Sequence, residues 1–419
     1  MPMTSDVLVL GAGIVGVSTA LHLLERGRSV VLFDRAEPGS GTSYGNAGLI
    51  ERSSVIPYSF PRDPMALLRY ALNGQSDVRY SPSFLPKAAS FLWQYWRNSA
   101  AAPLEVATRA MLPLVQACIP EHDRLVARAG AEHLIRADGW VALYKTTARF
   151  NAAVAEAGRL APFGLQYRVL TPQEFIALEP AYRPGLSTIA GAIHWQDPKT
   201  VTDPQGLVKA YADLFAANGG QMARGDAATL TEIAGGWQVT GADGATITAR
   251  EAVVALGPQS GLVFRKAGYR IPLGIKRGYH RHYTQTDGAM PRLSVVDEES
   301  GYVLAPMRQG LRITTGIEFA DPAAPANDIQ IRRDEVEARR LLDLGPPVEK
   351  TPWLGLRPCL PDMRPIIGPA PRHKGLWFHF GHAHHGLTLG PASGRLLSEM
   401  MTGETPFVDP APYAATRFA

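Results

Sequence analysis

Three closely spaced glycines near the start of the chain are the first residues with recognisable chemistry. Gly11, Gly13 and Gly16 form a GxGxxG pattern between the apolar run of residues 6–10 and a helical pattern. This spacing lets backbone N–H groups and a helix N-terminus approach a pyrophosphate without obstruction by Cβ atoms. Asp34 lies 23 residues after Gly11, where a carboxylate can hold ribose hydroxyls. The pattern predicts dinucleotide binding, and tight strand–helix packing without a ligand is the alternative.

A second segment of small and hydroxyl residues follows the second predicted strand. Residues 39–48 read GSGTSYGNAG. An ordinary surface loop has the same composition, and a domain that binds only a nicotinamide has no need of such a segment. A flavin is large and is held rigidly along its whole length, so it needs backbone close beside it. The segment therefore favours a flavin.

Two further motifs lie near the C-terminus. Residues 353–358 (WLGLRP) lead to the predicted strand 365–367, and residues 381–391 (GHAHHGLTLGP) precede the last predicted helix, 392–401. With the two N-terminal segments, they closely resemble the D-amino acid oxidase and dehydrogenase family of FAD enzymes, which includes glycine oxidase and sarcosine oxidase. The stretches TSYGNAG and GHAHHGLTLGP are most similar to its bacterial D-amino acid dehydrogenase branch, including flavoprotein subunits of hydroxyproline and opine dehydrogenases.

The resemblance implies a set of cofactor contacts for a non-covalently held FAD. Residues 386–390 would pass beneath the pyrimidine end of the flavin, and a helix beginning near Pro391 would add positive potential there. The implied contacts are Gly11, Gly13, Ile14, Val15, Gly16, Asp34, Arg35, Thr42, Ser43, Asn46, Ala47, Gly48, Leu49, Gly257, Gly381, His382, Gly386, Leu387 and Thr388.

The resemblance also implies that Arg357 pairs with a substrate carboxylate. A guanidinium fork binds a carboxylate bidentately and stays protonated in a partly dry pocket. A structural ion pair with Asp362 is the alternative. The catalytic set is completed by Tyr279, Tyr302 and His382, and the candidate wall residues around the substrate are Tyr279, His280, His282 and Tyr302.

Four histidines within seven residues suggest a metal site, which we do not predict. They are His379, His382, His384 and His385. No obvious carboxylate or thiolate completes a tetrahedral set, and strand positions 379 and 382 would point to different sides. The chain has two cysteines; Cys359 does not match the cysteine that binds FAD covalently in some sarcosine oxidases, and Cys118 lies in an apolar helical pattern.

Composition limits the classes of protein that fit. The chain has 419 residues, 46% hydrophobic and 19% charged, which excludes intrinsic disorder. The net charge is +4 with scattered Lys and Arg, so we expect no nucleic-acid partner, and two cysteines fit a reducing, cytoplasmic location.

Residues 7–24 are long enough for a membrane span, but their glycine spacing argues against one. The aromatic segment 91–96 is predicted to pack in the core, with peripheral contact at the inner face of the membrane as the alternative.

The order of the predicted helices and strands that position these residues indicates an α/β fold with mixed α+β character. We expect a Rossmann-like FAD-binding domain made of residues 1–55, 203–265 and 351–419. Residues 56–202 and 266–350 would form a discontinuous mixed-sheet substrate domain. A helical insertion near 65–135 would be interrupted at prolines, among them Pro103, Pro113 and Pro120.

The resemblance implies an enzyme that removes hydride from the amine-bearing carbon of a D-amino acid or related amine, delivers it to flavin N5 and yields an imine and then a 2-oxo acid. Three alternatives stay open. One is a flavin-bearing subunit of a heteromeric dehydrogenase with an electron-transfer or assembly role, and another is a glycine/sarcosine-type oxidase using oxygen. The third is a nicotinamide-dependent dehydrogenase. A quinone or other electron-transfer partner, and a partner subunit, are open as well.

Overall fold

Two large sheets and one small sheet organise the chain in a computed structural model that describes residues 3–284 and 290–418. The strands are β1 (Met3–Leu10), β2 (Val30–Asp34), β3 (Leu49–Ile50), β4 (Val78–Tyr80), β5 (Ile135–Arg136), β6 (Trp140–Tyr144), β7 (Tyr167–Leu170), β8 (Gly191–Trp195), β9 (Lys199–Val201), β10 (Gln221–Arg224), β11 (Thr231–Ile233), β12 (Gly236–Thr240), β13 (Thr246–Val254), β14 (Gly274–Tyr283), β15 (Ser294–Asp297), β16 (Tyr302–Met307), β17 (Gly310–Thr314), β18 (Ile317–Phe319), β19 (Trp353–Cys359), β20 (Ile366–Pro369) and β21 (Leu376–Phe380).

Helices cover the sheets on several sides. The α-helices are α1 (Ile14–Glu25), α2 (Pro64–Ala71), α3 (Leu85–Asn98), α4 (Ala101–Ala129), α5 (Thr147–Arg159), α6 (Pro172–Leu178), α7 (Pro204–Ala217), α8 (Gly261–Phe264), α9 (Ile329–Leu341) and α10 (Gly386–Thr402). Short 3-10 helices lie at Pro82–Phe84, Glu132–Leu134, Ala161–Phe163, Pro180–Thr188, Ala227–Thr229, Gly257–Gln259, Ala411–Tyr413 and Ala415–Phe418.

The first sheet has a parallel centre that is buried on both faces. Its order is β10-β2-β1-β13-β12-β11, and β21 adds to β13 in parallel. In β1, Val7 and Val9 belong to one apolar cluster and Leu8 and Leu10 to another. Successive side chains of a strand point to opposite faces, so this unbroken apolar run fills both cores. Across the described residues, no helix combines the length and the apolar character needed to traverse a bilayer.

Close packing of α1 against α10 brings the first and last motifs together. A Cβ added at Gly390 would lie 3.0 Å from Ile14 Cγ1, and one at Gly394 would lie 2.9 Å from the Thr19 nitrogen. Glycine at these positions lets the two helices approach closely. The start of α10 therefore lies beside the start of α1.

The second sheet runs β4-β18-β14-β17-β16-β15-β6-β8-β7, with β19 also paired to β14. In that pairing Lys276 is opposite Arg357. The third sheet is β3-β9-β5. The domain boundaries stay a prediction; β19, inside the predicted FAD segment, hydrogen-bonds along its length to the second sheet.

Two helix predictions were wrong. Helix α4 continues through Pro103, Pro113 and Pro120. Pro103 stands in the first turn, where its missing N–H has no intrahelical partner, and packing of α4 on α7 and α10 offsets the bonds lost at the other two. The last helix begins at Gly386, so Pro391 lies inside it and the positive helix end is five residues earlier than predicted.

Candidate active site

A cavity of about 1070 Å³ extends from the N-terminus of α1 to strands β14 and β16 of the second sheet. It brings together most of the residues predicted from the sequence. Those that line it are Gly11, Gly13, Ile14, Val15, Asp34, Arg35, Thr42, Ser43, Asn46, Ala47, Leu49, Gly257, Tyr279, Tyr302, Arg357, Gly381, His382, Gly386 and Leu387.

Three predicted cofactor contacts do not reach this cavity. A Cβ at Gly16 would lie 1.8 Å from the Gly11 oxygen, and one at Gly48 would lie 2.4 Å from the Val201 oxygen, so both glycines serve close backbone packing. Thr388 is buried and donates to the Leu49 oxygen at 3.2 Å. These residues shape the site from behind its surface.

The GxGxxG turn has the backbone geometry that a phosphate-binding turn requires. Gly11 has φ +110°, and a Cβ there would meet the Ala255 oxygen at 2.4 Å. Gly13 is the N-cap residue of α1. Its backbone is extended, and it has no side chain to cap the helix. The first N–H groups of a helix have no intrahelical acceptor and carry its positive potential. A pyrophosphate fits this open helix end.

Asp34 and Ser43 hold the turn in place. The Asp34 carboxylate accepts from the Ala12 N–H at 2.7 Å and the Ala36 N–H at 3.1 Å, and Ser43 Oγ accepts from the Ile14 N–H at 3.1 Å. Asp34 lines the cavity at the end of β2, where a ribose would lie. The arrangement fits the adenosine half of FAD.

The segment 42–48 forms hydrogen bonds with both C-terminal motifs. Thr42 Oγ1 donates to the Leu356 oxygen at 2.9 Å, and Asn46 Nδ2 donates to the His384 oxygen at 3.4 Å. Asn46 Oδ1 accepts from the Gly48 N–H at 2.8 Å. The hydroxyl-rich loop therefore joins both C-terminal motifs along the middle of the cavity.

His379 and His382 lie together, and the prediction that they would point to different sides was wrong. The chain turns at Gly381, which has φ +89°, and the two imidazole rings are 5.0 Å apart. His379 Nδ1 bonds to Thr19 Oγ1 at 2.8 Å and His382 Nε2 to Ser393 Oγ at 3.0 Å. Burial lowers the pKa of His382 to about 3, so its ring is neutral at ordinary pH.

Arg357 lies in the cavity wall and is not paired with Asp362. Its guanidinium donates to the main-chain oxygens of Gly316 at 3.0 Å and Thr315 at 2.9 Å. Asp362 instead pairs with Arg364 and Arg417. Burial lowers the pKa of Arg357, yet a guanidinium stays charged at neutral pH. Two of its five N–H groups are engaged with these carbonyls, which orients the group and leaves donors for a carboxylate.

The predicted tyrosines have different environments. The Tyr279 hydroxyl donates to Glu318 Oε2 at 2.5 Å and accepts from Arg277 and Asn327. Burial and the bond to Glu318 raise the pKa of Tyr279 to about 12. The Tyr302 hydroxyl is buried, with no hydrogen-bond partner among the described residues. Of the two, Tyr302 has the free hydroxyl.

The predicted wall residues His280 and His282 are not among the described residues that line the cavity. His280 stacks on Trp353 with ring centroids 4.9 Å apart. His282 Nδ1 bonds to Glu349 at 2.5 Å, and its Nε2 accepts from Arg312 at 2.9 Å. Both histidines therefore lie behind the residues that line the cavity.

Sequence reasoning missed several residues that line the cavity. They are Glu51, Tyr58, Trp140, Lys276 and Glu298. Glu51 directly follows the buried pair Leu49–Ile50, which is a usable signal. Glu298 stands in the run DEES, which is typical of a solvated turn. Burial raises the pKa of Glu298 to about 7.

A carboxylate does lie beside the histidines, contrary to the sequence argument. One oxygen of Glu51 and one nitrogen each of His384 and His385 lie within 4.8 Å of one another. Burial lowers the pKa of both histidines. That the chain has no metal site stays a prediction.

Known proteins share this architecture. The family model described as DAO, FAD dependent oxidoreductase, matches residues 6–400. The chain belongs to this family. It is thus an FAD-dependent oxidoreductase with the expected mixed α/β fold, and the resemblance inferred from the motifs is confirmed.

Relatives cover the whole chain. A D-amino acid dehydrogenase of Rhizobium johnstonii is 30% identical over 98% of this chain and 99% of its own. A D-amino-acid oxidase of Bradyrhizobium diazoefficiens is 28% identical over 100% of both chains. Glycine oxidase from Geobacillus kaustophilus superposes with a TM-score of 0.72 at 19% identity, covering 100% of both. L-amino acid deaminase from Proteus vulgaris gives 0.73 at 17%, covering 100% of this chain and 98% of the other.

Proposed function

We propose that the protein is an FAD-dependent dehydrogenase of D-amino acids or related amines. The observation that carries the proposal is the position of Arg357. It lines the same cavity as the phosphate turn at Gly11 and Gly13, and its guanidinium is oriented by two main-chain carbonyls. A cation fixed at one end of a cofactor cavity is what an amino acid's carboxylate requires.

The predicted site residues have separate tasks in this proposal. The N-terminus of α1 binds the pyrophosphate and Asp34 the ribose, while α10 begins at Gly386 with its positive end towards the cavity. The buried thiol of Cys359 donates to the Arg357 oxygen, and burial raises its pKa. A protonated, engaged thiol is a poor nucleophile, which supports non-covalent FAD.

The reaction needs positioning more than acid–base catalysis. FAD supplies the hydride-accepting chemistry when bound. Loss of hydride from the amine-bearing carbon gives an imine, which water hydrolyses to a 2-oxo acid. Arg357 fixes the carboxylate, and the rings of Trp140 and Tyr302 form part of a wall that restricts water. Neutral His382 provides no charge that competes with Arg357.

In this proposal, the electron acceptor is a quinone or another electron-transfer partner. Any contact of the protein with the membrane is peripheral, at the membrane surface. Helix α3 supports this: Trp93 is 58% exposed and stacks on Trp96 at 5.2 Å, whereas Tyr95 on the same helix is buried. A partner subunit is compatible with the same exposed surface.

Anaerobic bleaching of the flavin tests the function. The FAD-loaded protein is mixed with D-amino acids, their L-enantiomers, glycine, sarcosine, hydroxyproline and opines, and absorbance near the flavin maximum is followed. Bleaching by D-amino acids or related amines is expected. A protein that keeps its colour with every amine would contradict the proposal, and rapid return of colour in air would identify an oxidase.

A further inference from the structure

Two cavity carboxylates have no ion-pair partner among the described residues. Glu51 and Glu298 line the same cavity as Arg357. The Glu51 carboxylate accepts from the Ser54 hydroxyl. Arg149 lies near Glu298 but donates to its main-chain oxygen at 2.9 Å rather than to its carboxylate. Carboxylates in a partly dry cavity are costly unless a cation compensates them.

Tyr58 lines the same cavity as these carboxylates and Arg357. Its ring lies 4.8 Å from that of His384, and Tyr95 donates to its main-chain oxygen. Desolvation, Glu51 and Glu298 raise the pKa of Tyr58 and Arg357 lowers it, although the residue is 59% exposed.

Uncharged imidazoles enlarge the set of acceptors around Glu51. His384 Nε2 and His385 Nδ1 are buried and have no hydrogen-bond partner among the described residues, and His385 is 7% exposed. Their lowered pKa values keep them neutral at ordinary pH. A neutral imidazole has one nitrogen that accepts a hydrogen bond. Together with the Glu51 carboxylate, these rings can therefore offer acceptors to a bound cation.

We propose that the cavity selects amine substrates with a second positive charge, whose side-chain ammonium or guanidinium binds between Glu51 and Glu298 while Arg357 holds the carboxylate. This inference rests on the proposed function and names its substrate class, basic D-amino acids. Trp140 and Tyr302 would enclose the alkyl stem of such a substrate.

Matched substrates test the charge directly. D-lysine is compared with D-norleucine, and D-arginine with D-citrulline, by anaerobic flavin reduction in the holoenzyme. We expect an efficiency ratio of about tenfold or more in favour of each cation, equivalent to roughly 1.4 kcal/mol. At a pH well above 7, where Glu298 is ionised, Glu298→Gln and Glu51→Gln should each lower that ratio by about tenfold, because each removes a negative charge from the cavity.

Glu105→Gln is the matched control, because Glu105 is an exposed residue of α4 that pairs with Arg109 outside the cavity. It should keep the wild-type ratio. A ratio near one, or one that both cavity variants retain, overturns the inference while leaving amine oxidation intact. Flavin that no amine bleaches would instead refute the proposed function. Discrimination that EDTA abolishes and Zn²⁺ alone restores would assign Glu51, His384 and His385 to a metal and also overturn the inference.

Discussion

At the scale of single residues, the proposed anchoring role of Arg357 can be tested by removing its charge. Replacing it by methionine in Arg357→Met removes the charge but keeps an apolar stem. We expect KM for the amino acid to rise about 100-fold, since a charge-assisted bidentate contact contributes roughly 2–3 kcal/mol. The flavin spectrum should not change. Steady-state kinetics and an absorbance spectrum measure both effects.

Arg372→Met is the control for that variant, because Arg372 is exposed and lies over the Tyr269 ring, outside the described cavity lining. It should leave KM unaltered. Removal of Arg357 without any rise in KM would exclude it from substrate binding.

Gly13 allows cofactor binding to be tested apart from folding. Its φ is −76°, and a Cβ there would meet only Ser43 Oγ at 3.4 Å, which is ordinary contact. Gly13→Val should therefore fold normally but obstruct the pyrophosphate. We expect FAD to bind at least about tenfold more weakly, equivalent to a loss of roughly 1.4 kcal/mol or more. The flavin-to-protein absorbance ratio and a thermal melt of the apoprotein measure the two properties.

Gly27→Ala is the comparison for that glycine. Gly27 has φ +75° and open space around its Cβ position, so alanine there strains the backbone without touching the cofactor. It should lower the melting temperature and leave the flavin ratio unchanged. Equal flavin retention in Gly13→Val would show that no phosphate lies at this turn.

At the scale of elements, the contact between α1 and α10 depends on glycine. Gly394→Ala would bring its Cβ to 2.9 Å from the Thr19 nitrogen, where the backbone cannot yield easily. We expect a loss of about 1–3 kcal/mol in the free energy of unfolding, as for overpacked cores. Urea unfolding measures it.

Gly158→Ala, in helix α5, is the matched substitution, because nothing lies within 4 Å of its Cβ position. Alanine there should stabilise the protein by roughly 0.5–1 kcal/mol through helix propensity. If Gly394→Ala were as harmless as Gly158→Ala, the close approach of α1 and α10 would be wrong.

Across the whole molecule, buried neutral imidazoles make folding sensitive to acid. Burial lowers the pKa of seven histidines within the described ranges: His22, His122, His280, His379, His382, His384 and His385. A lowered pKa means that the unfolded chain takes up protons first as pH falls below about 6.5, which destabilises the fold. Burial raises the pKa of Glu179, Glu298 and Asp334, which acts in the opposite direction but through fewer groups.

We therefore expect the free energy of unfolding to be highest above about pH 6.5 and to fall by at least about 2 kcal/mol between pH 7 and 5, since each group contributes up to roughly 1.4 kcal/mol per unit. Urea unfolding at fixed FAD concentration measures it. His122 bonds to Tyr211 and to the Leu387 oxygen, is not among the described residues that line the cavity, and provides the check. His122→Gln should reduce proton uptake on unfolding by about one, and a pH-independent stability would contradict the burial of these rings.

The sequence by itself determined the cofactor class and the positions of its motifs. GxGxxG with Asp34, TSYGNAG, GLRP and GHAHHG are local patterns, because each depends on turns and helix starts that neighbouring residues specify. Only the tertiary structure decided that α4 passes through its prolines and that α10 begins at Gly386, since packing between helices outweighs local preference. It also decided that Glu51 and Glu298, 247 positions apart in the sequence, line one cavity. Whether two such residues line one cavity depends on how distant segments of the chain pack together, which no short stretch of sequence shows.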